Sequence, residues 1–145
     1  MSNDYIAGSL DDIAYVRMVV KYNGKFVLCY NKKVKKWDCV GGKVEKGENP
    51  LAAAKRELFE ETGAVDFDIV PVRDYKRFLE DGTFYNNNRE YFVNVHKFSD
   101  IPDGSEMEKI DFFDEIPDDF LYENERKTRL EHFKRIEKYA SAYWD

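Results

Sequence analysis

The segments GKVEKGE (residues 42–48) and RELFEETG (residues 56–63) carry the strongest structural signal in this sequence. Between them, Asn49 is a good helix cap, and Pro50 has the fixed φ that suits a first helical position. Nothing from Pro50 to Thr62 breaks a helix, and Gly63 is the residue type expected just past a helix end. The sequence therefore predicts a helix over residues 50–62 that follows a glycine-rich loop.

The predicted helix has two faces of different character. At about 100° per residue, one narrow stripe is apolar and forms the predicted buried face: Leu51, Ala54 and Leu58. Glu57, Glu60 and Glu61 form a second stripe roughly a quarter turn away. Like charges at this spacing cost about 0.2–0.5 kcal/mol per pair, so stability does not explain the second stripe, whereas a divalent cation with oxygen ligands does. A solvated acidic face is the alternative.

The two segments resemble the Nudix box, G-x5-E-x7-R-E-U-x-E-E-x-G-U, in which U is an aliphatic residue. The matching positions are Gly42, Glu48, Arg56, Glu57, Leu58, Glu60, Glu61 and Gly63. Ala64 fills the last position with a smaller residue than the usual Ile, Leu or Val. Residues 37–42 read WDCVGG where the family commonly has W-x-x-P-G-G, so Val40 stands in place of a proline. A motif that fixes this many positions is far more specific than a lone glycine fingerprint.

The resemblance implies a metal-dependent hydrolase. Glu57, Glu60 and Glu61 would hold Mg²⁺ or Mn²⁺, and the backbone carbonyl of Gly41 is a further candidate ligand. Family members often place another glutamate in a late acidic loop, as a metal ligand or as the catalytic base. Glu106 and Glu108 are the candidates for that role, with mere solvent exposure as the alternative for each.

The resemblance also implies roles for other positions. Glu57 is the first candidate for the general base, with the late-loop glutamates as rivals. Arg56 is expected to pair with nearby carboxylates and so to support catalysis through the loop–helix geometry. Gly42 is placed at the substrate-binding site, where glycine allows close approach. Trp37 would line the nucleotide site, although a buried aromatic anchor is an equally good interpretation.

The implied reaction is cleavage of a diphosphate linkage in a nucleoside diphosphate joined to another group, with a nucleoside triphosphate, ordinary or oxidised, as the first candidate substrate. ADP-ribose or a nucleotide sugar is the alternative for the same chemistry. A non-catalytic alternative is a ligand-sensing module. The intact set of three glutamates disfavours it, because a sensor does not need all three. RNA decapping is disfavoured by the acidic balance of the chain.

Composition limits the possible functions. The chain has 145 residues and 43% hydrophobic content, which predicts one domain over residues 1–145. Its net charge of −6 argues against a broad nucleic-acid-binding surface and favours a small nucleotide as the ligand. No apolar run has the length of a membrane span, and residues 1–10 lack the features of a signal peptide. With only two cysteines, the chain is expected to be a cytoplasmic protein. We expect a monomer or a homodimer.

The remaining elements are predicted from patterning. Residues 1–12 are polar and are expected to be a loose terminus. Asn23-Gly24 predicts a hairpin between two β-rich runs, and strands are also expected over residues 65–78 and 90–98. A turn is expected over residues 80–88, and an amphipathic helix over residues 122–144. Such strands with a central and a terminal helix suggest an α/β/α sandwich with a mixed β-sheet, the architecture that the Nudix resemblance also implies.

Overall fold

The computed structural model describes residues 3–144, which contain eight β-strands and two α-helices. The strands are β1 (Tyr5–Ile6), β2 (Ile13–Tyr22), β3 (Lys25–Asn31), β4 (Lys36–Asp38), β5 (Val40–Lys43), β6 (Ala64–Phe78), β7 (Phe84–Phe98) and β8 (Met107–Phe113). The helices are α1 (Pro50–Thr62) and α2 (Arg126–Trp144), and a 3₁₀ turn at Glu123–Glu125 precedes α2. Within residues 3–144, neither helix is both long and apolar enough to cross a membrane.

The strands form one mixed sheet in the order β1-β6-β7-β2-β3-β4. Strands β2 and β7 run parallel, whereas the β2–β3 and β6–β7 pairs are antiparallel. Strand β5 pairs with β2 along Tyr15–Met18, and β8 pairs with β3. This pairing confirms the mixed sheet that the sequence predicted.

The two helices cover opposite faces of the sheet, each over its own hydrophobic core. Helix α1 contributes Ala53, Ala54 and Leu58 to the first core, which includes Val16, Met18, Val20, Tyr91, Val93 and Val95 from β2 and β7. Helix α2 contributes Phe133, Ile136 and Ala140 to the second core, which includes Val19, Phe26, Leu28, Val70, Val72 and Phe92. The prediction of an α/β/α sandwich is therefore confirmed.

Helix α1 begins and ends where its sequence predicts. The Asn49 side chain accepts a hydrogen bond from the Ala52 N–H, and Gly63 adopts the left-handed conformation at φ 78°. The predicted buried stripe is wrong in its first residue, because Leu51 lies in the first turn and is 40% exposed. Glu61 instead extends the buried face of Ala54 and Leu58, so a carboxylate lies at the edge of the core.

The hairpin between β2 and β3 also follows the sequence. Asn23 has φ 49° and Gly24 has φ 79°, so both central residues adopt the positive φ that a tight hairpin turn requires. Strand β7, by contrast, begins earlier than predicted. Residues 86–88 lie in the β6–β7 ladder rather than in a turn, because the turn itself occupies only residues 79–83. Long-range pairing with β6 overrides the turn preference of asparagine.

The N-terminal segment is bound to the sheet, which corrects the expectation of a loose terminus over residues 3–12; residues 1 and 2 lie outside the described part of the chain. Strand β1 pairs with β6. The buried Asp74 carboxylate accepts hydrogen bonds from the N–H groups of Gly8 and Leu10, each at 3.0 Å. Asp4 forms an ion pair with Arg73 at 2.8 Å. Partners more than 60 residues away order this segment, so local composition misses them.

Candidate functional site

A cavity of about 620 Å³ lies beside α1 and is lined mainly by acidic side chains. We call it the carboxylate cavity. Its walls are α1 and the loop of residues 102–106 that precedes β8, and its acidic lining consists of Glu45, Glu57, Glu60, Glu61, Asp103 and Glu106. The structure thus brings together the three glutamates of the helix stripe and one of the two late-loop candidates.

The late loop places Glu106 and Glu108 differently. Ser105 Oγ donates a hydrogen bond to the Glu60 carbonyl at 2.6 Å, and the Lys32 N–H donates to the Glu106 carbonyl at 3.2 Å. These bonds hold the loop between α1 and the end of β3, with Glu106 in the cavity lining. Glu108 is exposed on β8 and does not line the cavity. The geometry favours Glu106 over Glu108, which spacing alone left undecided.

Arg56 holds the acidic groups together, as the sequence predicted. Its Nε lies 2.8 Å from Glu48, and its Nη1 lies 2.8 Å from Glu57 and 3.4 Å from Glu60. Its Nη2 donates to the Lys43 carbonyl at 3.0 Å, which ties the helix to the preceding loop. Hydrogen bonds from Arg56 lower the pKa of Glu48 to about 2. Arg56 therefore offsets the mutual repulsion of the carboxylates in this arrangement.

Glu57 lies between Arg56 and the backbone of Gly42. A side chain at Gly42 would overlap the Glu57 carboxylate, so only glycine fits there with this carboxylate in place. Burial raises the pKa of Glu57, although the hydrogen bond from Arg56 opposes the shift. The negative charges of Glu60 and Glu106 raise it further. Glu57 is thus a partly desolvated carboxylate that binds a proton more readily than an exposed glutamate does.

Glu61 is the most deeply buried of the three helix glutamates, with 8% of its surface exposed. Its Oε1 accepts a hydrogen bond from the Gly41 N–H at 2.8 Å. Burial raises the pKa of Glu61 to about 9, and the Gly41 hydrogen bond only partly opposes the shift. The structure therefore places the N–H of Gly41 against this carboxylate, while a metal-binding role for the Gly41 carbonyl stays a prediction.

The raised pKa of Glu61 predicts how the stability of the metal-free protein, measured in EDTA, changes with pH. Because the folded protein keeps this proton between the ordinary pKa of 4.5 and about 9, the Glu61 contribution to stability falls as pH rises through that window. Glu61→Gln should therefore melt about 5 °C above the wild type at pH 8.5, with little difference at pH 4. Thermal melts across pH measure this, with Glu108→Gln as the exposed control. A difference in Tm between the two proteins that does not change with pH would contradict the raised pKa of Glu61.

The donor set of the carboxylate cavity fits a hard divalent cation. Its acidic groups offer only oxygen ligands, which Mg²⁺ and Mn²⁺ prefer, and no thiol or imidazole lies in the lining. In residues 3–144, no three His, Cys, Asp or Glu side chains are already arranged as a metal cluster. The Arg56 guanidinium contacts two of the carboxylates instead, with Nη1 at 2.8 Å from Glu57 and 3.4 Å from Glu60. Glu57, Glu60, Glu61 and Glu106 are the residues that could hold the ion.

A second cavity of about 810 Å³ lies on the α2 face of the sheet. We call it the tyrosine cavity. Strands β2, β6 and β7 form its floor, and the β4–β5 turn and residues 121–129 form its walls. Its lining contains the aromatic residues Tyr15, Tyr75 and Tyr122, the basic residues Arg17, Arg77 and Arg129, and the acidic residues Asp38, Glu123 and Glu125. Such a site suits a planar ligand that carries hydrogen-bonding groups.

Sequence analysis did not identify the tyrosine cavity. One signal was available, because Tyr15 and Arg17 alternate with the buried Val16 and Met18 and so had to face the other side of β2. The cavity nevertheless depends on strands and a wall that are distant in sequence. Val40 lines this cavity, and the adjacent Gly41 contacts Glu61 of the carboxylate cavity, so β5 lies next to both sites.

A buried ionic cluster supports the floor of the tyrosine cavity. Glu90 is fully buried and lies 3.0 Å from Arg17 Nε, 2.8 Å from Arg73 Nε and 2.9 Å from His132 Nε2. Burial opposes the charge of Glu90, but Arg17, His132 and Arg73 hold its pKa well below the usual range. Burial also lowers the pKa of His132. His132 is thus hydrogen-bonded within the structure, as the sequence predicted.

Trp37 lies in the second hydrophobic core rather than in either cavity. It is 8% exposed, and its ring packs edge-on against Tyr30 and Phe113. The structure therefore matches the buried-anchor interpretation of Trp37 and gives it no contact surface for a ligand. The other histidine, His96, lies 2.8 Å from Asp68 on the exposed surface, which agrees with the structural role expected for it.

Comparison with known proteins agrees with this geometry. A family model described as the NUDIX domain matches residues 13–132. An alignment of 100 residues in length covers 64% of this chain, and over it the sequence is 40% identical to the m7GpppN-mRNA hydrolase dcap-2 of Caenorhabditis elegans. The matched region covers only 12% of that protein.

Solved structures show the same fold. The pyrophosphohydrolase BsRppH of Bacillus subtilis is similar with a TM-score of 0.74 and 20% identity, over 94% of this chain and 96% of that one. A UDP-X diphosphatase is similar with a TM-score of 0.67 and 18% identity, over 90% of this chain and 66% of that one. At these identities the likeness shows the fold alone.

Proposed function

Because this chain belongs to the Nudix hydrolase family, we propose that it hydrolyses the diphosphate linkage of a nucleoside triphosphate, in its ordinary or oxidised form. Nudix hydrolases generally use a divalent metal ion, and we propose Mg²⁺ or Mn²⁺ for this chain. The convergence of Glu57, Glu60, Glu61 and Glu106 on one cavity carries the proposal. Burial disfavours the charged forms of Glu57 and Glu61, and a cation bound beside them and the exposed Glu60 and Glu106 would offset that cost.

The carboxylates would hold the ion on the face of α1 that borders the core. When bound, the ion would supply charge neutralisation for the diphosphate and Lewis-acid activation of the attacking water. Glu57 is the proposed general base, since its raised pKa allows it to accept a proton and its carboxylate is held by Arg56. Arg56 acts through the carboxylates it positions, because three of its contacts are to glutamates of the loop and helix.

The tyrosine cavity is the proposed site for the nucleoside. Its three tyrosines offer surfaces for a planar base, and its arginines offer hydrogen-bond donors. Val40 of β5 lines the tyrosine cavity and Gly41 contacts Glu61 of the carboxylate cavity, and on this basis we place the base in the first cavity and the phosphates toward the second. Gly42 is then the proposed point of close approach, because it already allows the Glu57 carboxylate to lie against the backbone.

A capped or 5′-phosphorylated RNA end is the second candidate substrate. The similarity to the C. elegans mRNA hydrolase favours it. The net charge of −6 opposes binding of a long polymer, but the turn at residues 32–36 carries four lysines next to the cavity loop, where Lys32 contacts Glu106. This local positive charge could contact a short stretch of RNA backbone.

The test is hydrolysis of a substrate panel with Mg²⁺, with products identified by mass. The panel contains nucleoside triphosphates, oxidised triphosphates, ADP-ribose, a UDP-sugar, dinucleoside polyphosphates and capped or triphosphorylated RNA. We expect release of a nucleoside monophosphate from a triphosphate, with loss of activity in EDTA. Glu60→Gln should lose most of this activity because it removes a carboxylate from the cavity.

Glu108→Gln is the matched control, because it changes an exposed glutamate of the neighbouring strand that does not line the cavity. It should keep wild-type activity. Preferential hydrolysis of an RNA end or of ADP-ribose would support the proposed hydrolase activity but contradict the proposed nucleoside triphosphate substrate. Folded protein that binds Mg²⁺ and nucleotides but turns over no member of the panel would contradict the proposal and favour a sensor.

A further inference from the structure

Asn88 occupies the centre of the floor of the tyrosine cavity. It lies on β7 with Tyr15 as its Cα partner on β2 and Tyr75 as its partner on β6. The three side chains form a row across the sheet, and all three line the cavity. The carboxamide of Asn88 is therefore placed between the two aromatic rings against which a planar ligand would lie.

The Asn88 side chain has an unmet hydrogen-bonding requirement. The residue is 1% exposed, and its Oδ1 is buried without a hydrogen-bond partner. Burial of an acceptor without a donor destabilises a folded protein, so a buried unpaired oxygen in a native structure calls for a partner. Because Asn88 lines the tyrosine cavity, a ligand bound in that cavity is the candidate source of the missing donor.

The neighbouring asparagines of the same strand differ in position. Asn86 and Asn87 also carry an unpaired Oδ1, but both are more exposed than Asn88 and neither lines the tyrosine cavity. Asn87 already donates from Nδ2 to the Asp11 carbonyl at 2.8 Å. Of the three consecutive asparagines, Asn88 is thus the one that lines the tyrosine cavity.

The side chains around Asn88 are held in place without a ligand. The guanidinium of Arg17 is fixed by its 3.0 Å contact with the buried Glu90. The ring of Tyr75 contacts two guanidinium groups, with Arg17 at 5.1 Å and Arg73 at 4.3 Å from its centroid. A ring that enters this cavity therefore meets fixed walls, and Asn88 supplies an acceptor on the floor between them.

We propose that Asn88 determines base specificity by accepting a hydrogen bond from an amino N–H of a nucleobase bound in the tyrosine cavity. The proposal rests on the proposed function for the identity of the ligand as a nucleotide. The chemical class that fits is a base with an exocyclic amino group. A base of the same size without that group leaves the Asn88 oxygen unpaired and should bind more weakly.

The test compares nucleoside monophosphates with and without an exocyclic amino group in two sets, a purine pair of GMP or AMP with IMP and a pyrimidine pair of CMP with UMP. Binding is measured by NMR titration in EDTA, so that neither hydrolysis nor the metal site contributes. The wild type should bind the amino member of at least one pair about five- to tenfold more tightly. Asn88→Ala should remove that preference by weakening the amino member alone.

Asn87→Ala is the matched control, because it changes the adjacent asparagine outside the cavity, and it should keep the preference. Thermal melts accompany each variant, and Asn88→Ala should be at least as stable as the wild type because it removes an unpaired polar atom. Equal wild-type binding within both pairs would overturn the proposal, as would an Asn88→Ala variant that keeps the preference. Amino-selective binding without turnover would instead refute only the proposed hydrolysis, whereas turnover without selectivity would refute only the role of Asn88.

Discussion

Glu57→Gln is expected to lower kcat for nucleotide hydrolysis by about 10²–10⁴-fold, the range typical for loss of a general base. Glutamine has nearly the same shape, so it can stay against Gly42 and still accept a hydrogen bond from Arg56. It cannot accept a proton, and it binds a cation more weakly than a carboxylate does. The variant therefore tests the chemistry of this position with little change in packing.

The measurement is the pH dependence of kcat at saturating Mg²⁺. Wild-type activity should fall at low pH as Glu57 becomes protonated, because a protonated carboxyl group cannot act as a base. Glu57→Gln should lose this limb of the profile, whereas Glu106→Gln should weaken Mg²⁺ affinity and keep the limb. If Glu106→Gln abolished the limb and Glu57→Gln did not, the base would be Glu106.

The parts of the fold that local chemistry decides could be predicted from the sequence. The bounds of α1 follow from Asn49, Pro50 and Gly63, and the β2–β3 turn follows from Asn23-Gly24. Helical spacing also places Glu57, Glu60 and Glu61 together, since a regular helix fixes their angular separation. These features need no knowledge of distant partners.

Other features depend on contacts between distant segments. The N-terminal segment is ordered by Asp74, and residues 86–88 become a strand because β6 pairs with them. Both segments are polar, and composition favoured a loose terminus and a turn. Long-range hydrogen bonds reversed each expectation.

The two cavities differ in the same way. Most of the carboxylate cavity comes from one helix, and only Glu106 required the structure to separate it from Glu108. The tyrosine cavity combines residues from five strands and from residues 121–129, and no short motif contains them. For Trp37 the motif left two interpretations open, a nucleotide-site residue and a buried anchor, and its ring packs in the core against residues of β3 and β8.

Glu90→Gln is expected to destabilise the protein by about 3–5 kcal/mol, the range for breaking a buried ion pair. The neutral amide would leave Arg17 without its counter-charge in the interior and Arg73 paired with Asp4 alone. Thermal and denaturant unfolding at pH 7 measure the loss, which corresponds to a fall in Tm of about 10 °C. Glu137→Gln is the control, because Glu137 forms a comparable pair with Lys21 at the surface, where such pairs contribute little.

The pH dependence of this effect distinguishes an ionic role from simple packing. Because the folded protein holds the pKa of Glu90 below its ordinary value of 4.5, its charge contributes stability that is fully present above pH 4.5 and is lost as pH falls below it. The difference between wild type and Glu90→Gln should therefore shrink in acid. Arg17 would also lose its anchor, so nucleotide binding in the tyrosine cavity should weaken while Mg²⁺ binding at the carboxylate cavity is retained. A loss of stability that is the same at pH 3 and pH 7 would instead mean that the charge of Glu90 contributes little to stability.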